Sequence, residues 1–318
     1  MNKRELGNSG INIAPFVFGG NVFGWTVDER TSFTLLDAFV DLGLDCIDTA
    51  DVYSRWVPGN KGGESETIIG NWLKKTGKRN QVVIATKVGS SMDANNPNKN
   101  LSKAYIIKAA EDSLRRLQID HIDLYQSHYD DPNTPIEETL EAYDQLIKEG
   151  KVRAIGSSNF TPERLGESLK ISVKLGLPTY VSLQPEYNLY DREGYERELE
   201  PLCRENNVGV ITYYSLASGF LSGKYRSEAD LHKSKRGQGI KKYLNNRGQR
   251  ILKSLDHVAN NYNSTPAAVA LAWVIARPGI TAPIASATSV SQLQELAKAV
   301  TLQLPQQVVD DLTMASDF

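Results

Sequence analysis

The stretch LDCIDTADVYSRW (residues 44–56) joins a short apolar run to a carboxylate, a phenol and an indole. Asp48 ends the run, and Tyr53 follows five residues later. Seven further apolar runs, rich in Val, Ile and Tyr, recur along the chain, and helical patterns separate them. The runs are continuously apolar rather than alternating, which is typical of parallel strands covered on both faces. The sequence therefore predicts eight buried parallel strands.

The predicted strands and helices alternate along the chain. The strands are Ala14–Gly19, Leu44–Asp48, Gln81–Lys87, Ile122–His128, Val152–Gly156, Tyr180–Gln184, Val208–Tyr213 and Ile280–Ile284. The clearest helical patterns are Thr31–Leu42, Leu101–Leu117, Pro135–Glu149, Asn246–Tyr262 and Pro266–Arg277. The turn GNSG (residues 7–10) predicts a short N-terminal hairpin. Ser222–Asn245 is predicted to be a long irregular loop, of the kind that is usually functional or mobile.

Eight strands alternating with helices form either an open or a closed parallel sheet. An open dinucleotide-binding sheet requires a G-x-G-x-x-G turn after an early strand, and the sequence has none. We therefore predict an α/β fold, a closed (β/α)8 TIM barrel, as one domain over residues 1–318. In such barrels the catalytic groups stand at the carboxyl ends of the strands.

Composition excludes several classes of protein. The net charge of −2 is not that of a nucleic-acid-binding domain, which is usually basic. Two cysteines make no disulfide framework, and the N-terminal residues lack the apolar core of a signal peptide. No apolar run approaches the roughly 20 residues that span a bilayer. We expect a cytoplasmic protein that neither binds nucleic acid nor inserts into membranes; its oligomeric state stays open.

Polar or aromatic groups stand at one end of nearly every predicted strand: Gly20, Asp48, Lys87, His128, Ser158, Asn159, Gln184 and Tyr213. Taken alone, Asp48 is explained as a turn former or helix cap, Tyr53 as a packing residue and His128 as a structural hydrogen-bonder. Lys87 is harder to explain, because lysine is rarely buried without a partner. Brought together at one barrel mouth, these groups predict an active site.

The chemistry that uses this set is carbonyl reduction, in which carbon receives a hydride and oxygen receives a proton. Tyr53 would be the general acid, although its ordinary pKa near 10 makes it a reluctant one. The ammonium of Lys87 would lower that pKa, and Asp48 would hold the lysine. A neutral His128 would orient the carbonyl oxygen.

Several sequence motifs resemble those of the aldo-keto reductase superfamily, and the resemblance extends over about Leu6–Leu304. They are IDTADVYS, GGESETIIGNWLK, VVIATKVG, SLRRLQIDHIDLYQSH, GKVRAIGSSNF, QPEYNL and SGFLSGKY. The sequences of these motifs are most similar to those of the branch that contains bacterial general reductases and potassium-channel β subunits. The resemblance implies a TIM barrel and the same Asp-Tyr-Lys-His tetrad.

The resemblance also implies an extended NADPH across the mouth, with NADH as the alternative. Ser158, Asn159 and Gln184 would hold the carboxamide, and the ring of Tyr213 would stack on the nicotinamide. The other implied cofactor contacts are Gly20, Asn21, Asp48, Tyr214, Ser215, Leu216, Ala217, Lys224, Ser286, Thr288, Gln292 and Glu295. The segment Ser222–Asn245 resembles the flap that folds over this cofactor.

The chain departs from the family pattern at three places. Tyr214-Ser215 replaces Ser-Pro after the stacking aromatic, and Ser286 replaces a glycine. Thr288 and Ser289 stand where many members have the Arg or Lys that binds the 2′-phosphate. The predicted replacements for that cation are Lys224, Arg226, Lys235 and Arg236.

The substrate is predicted to be an aldehyde or ketone with an apolar or aromatic body. Trp25, Trp56 and Tyr129 would flank it, beside Tyr53 and His128. The alternative is that two of the three rim aromatics only pack against their neighbours. No metal site is predicted.

Two other functions compete with reduction. Lys87 could form a Schiff base, as in barrel aldolases. Four other strand-end residues would then have no role, namely Ser158, Asn159, Gln184 and Tyr213. Alternatively, the chain binds nicotinamide cofactor as a redox-sensing partner protein resembling the channel β subunits.

Overall fold

Eight parallel strands close into a barrel in the computed structural model, which describes residues 2–93, 98–234 and 237–318. Around the barrel the order is β10-β3-β4-β5-β6-β7-β8-β9, so neighbours along the chain are neighbours in the sheet. The strands are β1 Arg4–Glu5, β2 Asn12–Ile13, β3 Val17–Gly19, β4 Cys46–Asp48, β5 Val83–Val88, β6 Ile122–Ser127, β7 Val152–Ser158, β8 Tyr180–Gln184, β9 Gly209–Thr212 and β10 Ile280–Ala285. The predicted (β/α)8 barrel is confirmed.

Helices cover the outside of the barrel and bury its outer face. They are α1 Glu29–Asp41, α2 Glu64–Thr76, α3 Lys103–Leu117, α4 Ile136–Lys148, α5 Pro162–Leu175, α6 Glu193–Glu196, α7 Leu199–Glu205, α8 Asn246–Asn261, α9 Pro266–Ala276, α10 Val290–Ala297 and α11 Gln306–Ala315. Short 3-10 helices lie at Gly20–Val22, Lys78–Gln81, Ala217–Ser222, Glu228–Lys233, Gly237–Tyr243 and Lys298–Val300. Within the described residues, every helix is too short or too polar to cross a membrane.

The predicted strands differ from the observed ones only at their ends. The first was predicted from Ala14, but β3 begins at Val17. Pro15 precedes that start, and a proline lacks the N–H that a central strand must donate. Gln81 ends a 3-10 helix instead of starting β5. At the other ends, His128 and Tyr213 lie immediately after β6 and β9.

The segment Ser222–Asn245 is more ordered than predicted, so the expectation of an irregular loop is wrong for its described part. It contains two 3-10 helices, Glu228–Lys233 and Gly237–Tyr243. A capping box between Ser227 and Asp230 starts the first one. Three apolar or aromatic side chains from this segment are buried, namely Tyr225, Ile240 and Tyr243. Lys235 and Arg236, two of the predicted phosphate ligands, lie outside the described residues.

The predicted N-terminal hairpin is confirmed, and it closes the amino end of the barrel. β1 and β2 pair antiparallel, and Leu6, Ile11 and Ile13 pack against inward-facing barrel residues. The guanidinium of Arg4 donates from Nη1 to the carbonyl oxygens of Ile275 (2.9 Å) and Ile280 (3.0 Å). The carboxyl end of the barrel is therefore the end left for chemistry.

Candidate active site

Lys87 lies inside the barrel mouth with all of its hydrogens engaged. Its side chain is fully buried, and Nζ donates to Asp48 Oδ2 (2.6 Å), the Thr49 carbonyl (2.9 Å) and Tyr53 Oη (2.9 Å). An ammonium has three N–H groups, so this set is complete. Burial lowers the pKa of Lys87, and the carboxylate of Asp48 opposes that effect. An ammonium held this way has no free lone pair, which argues against a Schiff-base lysine.

Asp48 is held from two sides. Its Oδ2 accepts from Lys87, while Oδ1 accepts from Gln184 Nε2 (2.9 Å) and Gln126 Nε2 (3.2 Å). Gln184 Nε2 also donates to Gln126 Oε1 (3.1 Å). Strand register brings these groups together, because Lys87 is opposite Gln126 in the β5–β6 pair. The amide groups fix the carboxylate and thereby the lysine.

Gln126 is a site residue that the sequence analysis missed. It lies two residues before His128, at the end of β6. Alternate residues of a strand point to the same face, so the step of two toward His128 was the available signal.

Tyr53 Oη accepts a hydrogen bond from Lys87, so the phenolic hydrogen is not shared with the ammonium. Burial, followed by the nearby charge of Asp48, raises the pKa of Tyr53 well above 10. The pKa of Tyr53 is thus raised overall, whereas the sequence predicted a lowered one, because burial outweighs any effect of the ammonium. The ammonium instead fixes the direction of the phenol: Oη accepts from Lys87, so the Oη–H points elsewhere.

His128 lies beside Tyr53, with ring centroids 6.0 Å apart. Burial, with a smaller contribution from the charge of Lys87, lowers the pKa of His128 well below 6.5. The imidazole is therefore neutral near pH 7, as the orienting role requires. Its Nδ1 is buried and makes no hydrogen bond within the described part of the chain. Asn159 Nδ2 donates to the backbone oxygen of His128 (2.9 Å) and so fixes the backbone there.

Asp51 is a second buried carboxylate close to the site. Neither of its carboxylate oxygens has a hydrogen-bond partner among the described residues. Burial, followed by the charge of Glu66, raises the pKa of Asp51 well above 3.8. Nothing in the sequence pattern distinguishes Asp51 from an ordinary loop acid.

The three residues predicted to hold a carboxamide meet at the ends of β7 and β8. Ser158 Oγ donates to the Gln184 backbone oxygen (2.9 Å), and Asn159 Nδ2 donates to Ser158 Oγ (3.0 Å). Asn159 Oδ1 accepts from Tyr213 Oη (2.7 Å). Each amide oxygen has two lone pairs, so acceptor capacity remains at Asn159 Oδ1.

The turn after β9 has an unusual backbone. Tyr214, Ala217 and Ser218 have φ of 50°, 50° and 57°, and Gly219 has φ of 100°. A left-handed φ costs a non-glycine residue about 1–3 kcal/mol, and such strain clusters at ligand clamps. A Cβ on Gly219 would lie 3.5 Å from Lys224 Nζ, so this ammonium lies over the turn. Ser215 is tied into the turn by its hydrogen bond to the Thr212 carbonyl (2.8 Å), and Leu216 lies within the turn.

Ser286 follows β10, and its hydroxyl contacts the loop after β3. Oγ donates to the Gly19 carbonyl (2.7 Å) and lies 2.8 Å from Asn21 Oδ1. A Cβ on Gly19 would approach Ser286 Oγ to 2.7 Å, and one on Gly20 would approach the Asp48 carbonyl to 3.0 Å. Ser286 therefore joins the first and last strands of the barrel at the mouth.

The predicted adenosine contacts lie on the loop and first turn of α10. Gln292 Oε1 accepts from Thr288 N (2.8 Å) and Thr288 Oγ1 (3.2 Å). Glu295 lies one turn further along the same helix and is half-buried.

Arg226, a predicted phosphate ligand, is engaged elsewhere. Its two terminal nitrogens pair with both oxygens of Asp256 at 2.8 Å, and Nε donates to the Gly223 carbonyl (2.7 Å). This bidentate pair occupies the face that a phosphate would need.

Aromatic rings form one side of the mouth. Trp25 and Trp56 meet edge to face at 5.7 Å, and Trp56 is 6.1 Å from the ring of Tyr53. Tyr129 stacks on His128 at 4.9 Å. Trp56 is 48% exposed and Tyr129 is 36% exposed, so both keep open ring surface next to the tetrad. Within the described residues, no cluster of His, Cys, Asp and Glu suits a metal ion.

Comparison with known proteins matches nearly the whole chain to one family. The protein-family model described as "Aldo/keto reductase family" matches residues 15–317 of this chain. The "Uncharacterized oxidoreductase YrpG" of Bacillus subtilis is 36% identical over 315 residues, 97% of this chain and 94% of that protein. The "Aldo-keto reductase YhdN" of the same organism is 34% identical over 294 residues, 91% of this chain and 84% of that protein.

A third relative is named as a channel subunit. The "Probable voltage-gated potassium channel subunit beta" of Arabidopsis thaliana is 33% identical over 307 residues. The match covers 94% of this chain and 91% of that protein. Enzymes and channel subunits thus lie at similar sequence distances from this chain.

Proposed function

Since the chain belongs to the aldo/keto reductase family of oxidoreductases, we propose that it reduces an aldehyde or ketone to an alcohol with NADPH. The hydride comes from the cofactor when it is bound, and Tyr53 supplies the proton to the carbonyl oxygen. The observation that carries this proposal is the complete hydrogen bonding of Lys87. One of its three N–H groups is directed at Tyr53 Oη, so the phenol accepts from the ammonium and does not give its own hydrogen to Lys87.

The raised pKa of Tyr53 supports the direction of reduction. A phenol that stays protonated is present in the acid form whenever a carbonyl arrives. The neutral His128 is close enough to the phenol to share the carbonyl oxygen as a hydrogen-bond donor. Two aligned donors stabilise the negative charge that develops on that oxygen.

The residues around the tetrad suit a nicotinamide dinucleotide. Asn159 Oδ1 keeps acceptor capacity for a carboxamide, and the ring of Tyr213 ends the strand beside it. The left-handed turn with Lys224 over it suits a pyrophosphate, since backbone N–H groups and an ammonium both favour an anion. The Ser286 hydroxyl beside Gly19 and the Asp48 carbonyl beside Gly20 leave no room for larger side chains on that edge.

The remaining members of the proposed cofactor site are assigned by position. Gly20, Asn21 and Asp48 would line the nicotinamide end, and Gln184 would complete the carboxamide set. Tyr214, Ser215, Leu216 and Ala217 would supply the turn. Ser286, Thr288, Gln292 and Glu295 would line the adenosine end. The aromatic rim of Trp25, Trp56 and Tyr129 favours an aromatic or apolar carbonyl compound.

The first test is a rate assay with a reactive aromatic aldehyde, in which NADPH and NADH are compared side by side. We expect aldehyde-dependent loss of NADPH absorbance, with a lower kcat/KM for NADH. A rate with NADH alone would keep the reductase and overturn the choice of cofactor. No rate with either, at saturating aldehyde, would contradict the proposed reaction.

Tyr53→Phe tests the proton route. The ring contacts with Trp56 and His128 are retained, so cofactor affinity should be unchanged. Loss of a general acid is expected to lower kcat by about 10²–10⁴-fold. Cofactor titration and steady-state rates on the same preparation check both parts. Wild-type turnover by this variant would contradict the assigned role.

The second candidate is a cofactor-binding partner protein that turns over little or no substrate. It is favoured by the similarity to relatives named as channel β subunits. Tight cofactor binding without turnover of a broad aldehyde panel would support it over the reductase.

A further inference from the structure

The sequence motif QPEYNL (residues 184–189) contains a buried residue that has no role in the proposed reaction. Asn188 is fully buried in the loop after β8. Its Oδ1 accepts from Tyr190 N (2.7 Å) and Asp191 N (2.9 Å). Its Nδ2 donates to the Tyr214 carbonyl (3.0 Å) and Asp191 Oδ2 (3.1 Å). An amide side chain has two donors and two acceptor sites, so all of its capacity is used.

One of these bonds reaches the strained turn. Tyr214 has a left-handed backbone, and a non-glycine residue keeps this conformation only when its surroundings hold it. The Tyr214 carbonyl accepts from Ala217 N (2.6 Å), which closes the turn, and from Asn188, which ties the turn to the β8 loop. Asn188 is therefore part of what fixes the turn.

Asp191 extends the connection to the flap, Ser222–Asn245. Its Oδ2 accepts from Tyr243 Oη (2.8 Å) as well as from Asn188. Tyr243 ends the second 3-10 helix of the flap, and its ring stacks on Phe220 at 5.2 Å. Lys242 Nζ lies 3.6 Å from Asp191 Oδ1. Burial, followed by the charge of Asp191, raises the pKa of Tyr243 well above 10, so the phenol remains a donor.

We propose that Asn188 and Asp191 couple the flap to the turn after β9, and that the Tyr243 hydroxyl thereby slows release of the nicotinamide cofactor. The inference rests on the proposed function, because the cofactor is the ligand that turn and flap would enclose. These three are positioning residues: each acts through the backbone of Tyr214. A break at any one bond would interrupt this polar link, so the coupling free energy would fall to what the stacking of Tyr243 on Phe220 still supplies.

The test is the release rate of NADPH from Tyr243→Phe, measured by stopped-flow displacement and protein fluorescence. The substitution keeps the stacking on Phe220 and removes the hydroxyl alone. We expect release about tenfold faster, with a similar rise in Kd, because interface changes mostly alter dissociation. The hydride-transfer rate in a single turnover should stay at the wild-type value.

Tyr143→Phe is the matched control. It also removes one buried phenol, whose Oη is 2.8 Å from Ser127 Oγ on the outside of β6. Both variants should lose similar thermal stability, but only Tyr243→Phe should release cofactor faster. Equal release rates in the two variants would overturn the proposal.

Asn188→Ala tests whether the connection is continuous. In Asn188→Ala with Tyr243→Phe, release should be no faster than in Asn188→Ala alone, because both changes interrupt one path. Multiplicative effects would show two independent contacts and overturn the coupling. If Asn188→Ala does not fold, the comparison of Tyr243→Phe with Tyr143→Phe decides. Failure of the wild type to bind either NADPH or NADH would overturn the proposed function itself, before any variant is compared.

Discussion

At Lys87, fold stability and chemistry depend on the same three hydrogen bonds. A fully buried ammonium is unfavourable unless every N–H finds an acceptor, and Asp48, Thr49 and Tyr53 supply those acceptors. Removing any acceptor would leave a buried charge incompletely paired. The geometry that satisfies the lysine also fixes the position of the Tyr53 hydroxyl, because Oη is one of the three acceptors.

The lowered pKa of His128 has a measurable consequence for catalysis. Because the imidazole stays neutral well below pH 6.5, kcat/KM for reduction should not fall as the pH is lowered through that value. Initial rates at saturating cofactor, corrected for folded protein, check this prediction. An acid limb with an apparent pKa near 6.5 would show that the free enzyme carries an ordinary histidine.

The same shift affects stability with a defined sign. Below pH 6.5 an unfolded chain protonates this histidine while the folded chain does not, so its contribution to stability is lost as the pH falls. His128→Gln removes that contribution. As the pH falls, the free energy of unfolding of the wild type should therefore decrease relative to that of His128→Gln.

Residue roles were predictable where a side chain follows a strand. Asp48, His128 and Gln184 could be identified because a parallel barrel gathers all strand ends at one mouth. Gln126 was missed because it is the second-last residue of β6, whereas the side chains that were singled out stand at or after the predicted strand ends. Asn188 was missed because its role depends on a backbone conformation 26 residues away, which no local pattern encodes.

At the scale of elements, the contacts at the start of the flap predict the role of Arg226. Its guanidinium is held by Asp256 and the Gly223 carbonyl, so it anchors the start of the flap instead of facing a ligand. Arg226→Ala should therefore weaken the binding of NADPH and of NADH by the same factor, and so should Asp256→Ala. Equilibrium titration of both variants with both cofactors measures this. A loss confined to NADPH would identify Arg226 as a 2′-phosphate ligand.

Element types were easier to predict than element ends. Continuous apolar runs identified the barrel strands, since burial on both faces leaves a strong signal. The ends depended on single residues, such as Pro15 before β3. The flap was misjudged because its many charged and glycine residues conceal three buried anchors, and anchors at irregular spacing give no periodic signal.

At the scale of the molecule, the amino-end hairpin is expected to carry stability without affecting chemistry. Gly7 has φ of 57°, and an added Cβ would lie 2.2 Å from the Val181 carbonyl oxygen. Gly10 in the same turn has φ of 70°, but nothing lies within 4 Å of its added Cβ. Gly7→Ala should cost about 3 kcal/mol or more, and Gly10→Ala only about 1–2 kcal/mol.

Denaturant unfolding of both alanine variants measures these differences. Because the hairpin and the tetrad lie at opposite ends of the barrel, kcat/KM per folded molecule should match the wild type in both. Equal stability losses would show that the hairpin does not dock closely, and a loss of kcat/KM would show that the two ends communicate.

The docking of Arg4 also sets an order of events during synthesis. A ribosome makes residues 4–13 before any barrel strand, yet the acceptors of Arg4 are the carbonyls of Ile275 and Ile280. Arg4 therefore cannot make these two hydrogen bonds until residues 275–280 have also been synthesised. The cluster that buries Leu6, Ile11 and Ile13 also contains Ala282 and Ile284 of β10, so it is complete only after that strand has been made. We therefore expect chains that end before β10 to leave this hairpin incompletely docked.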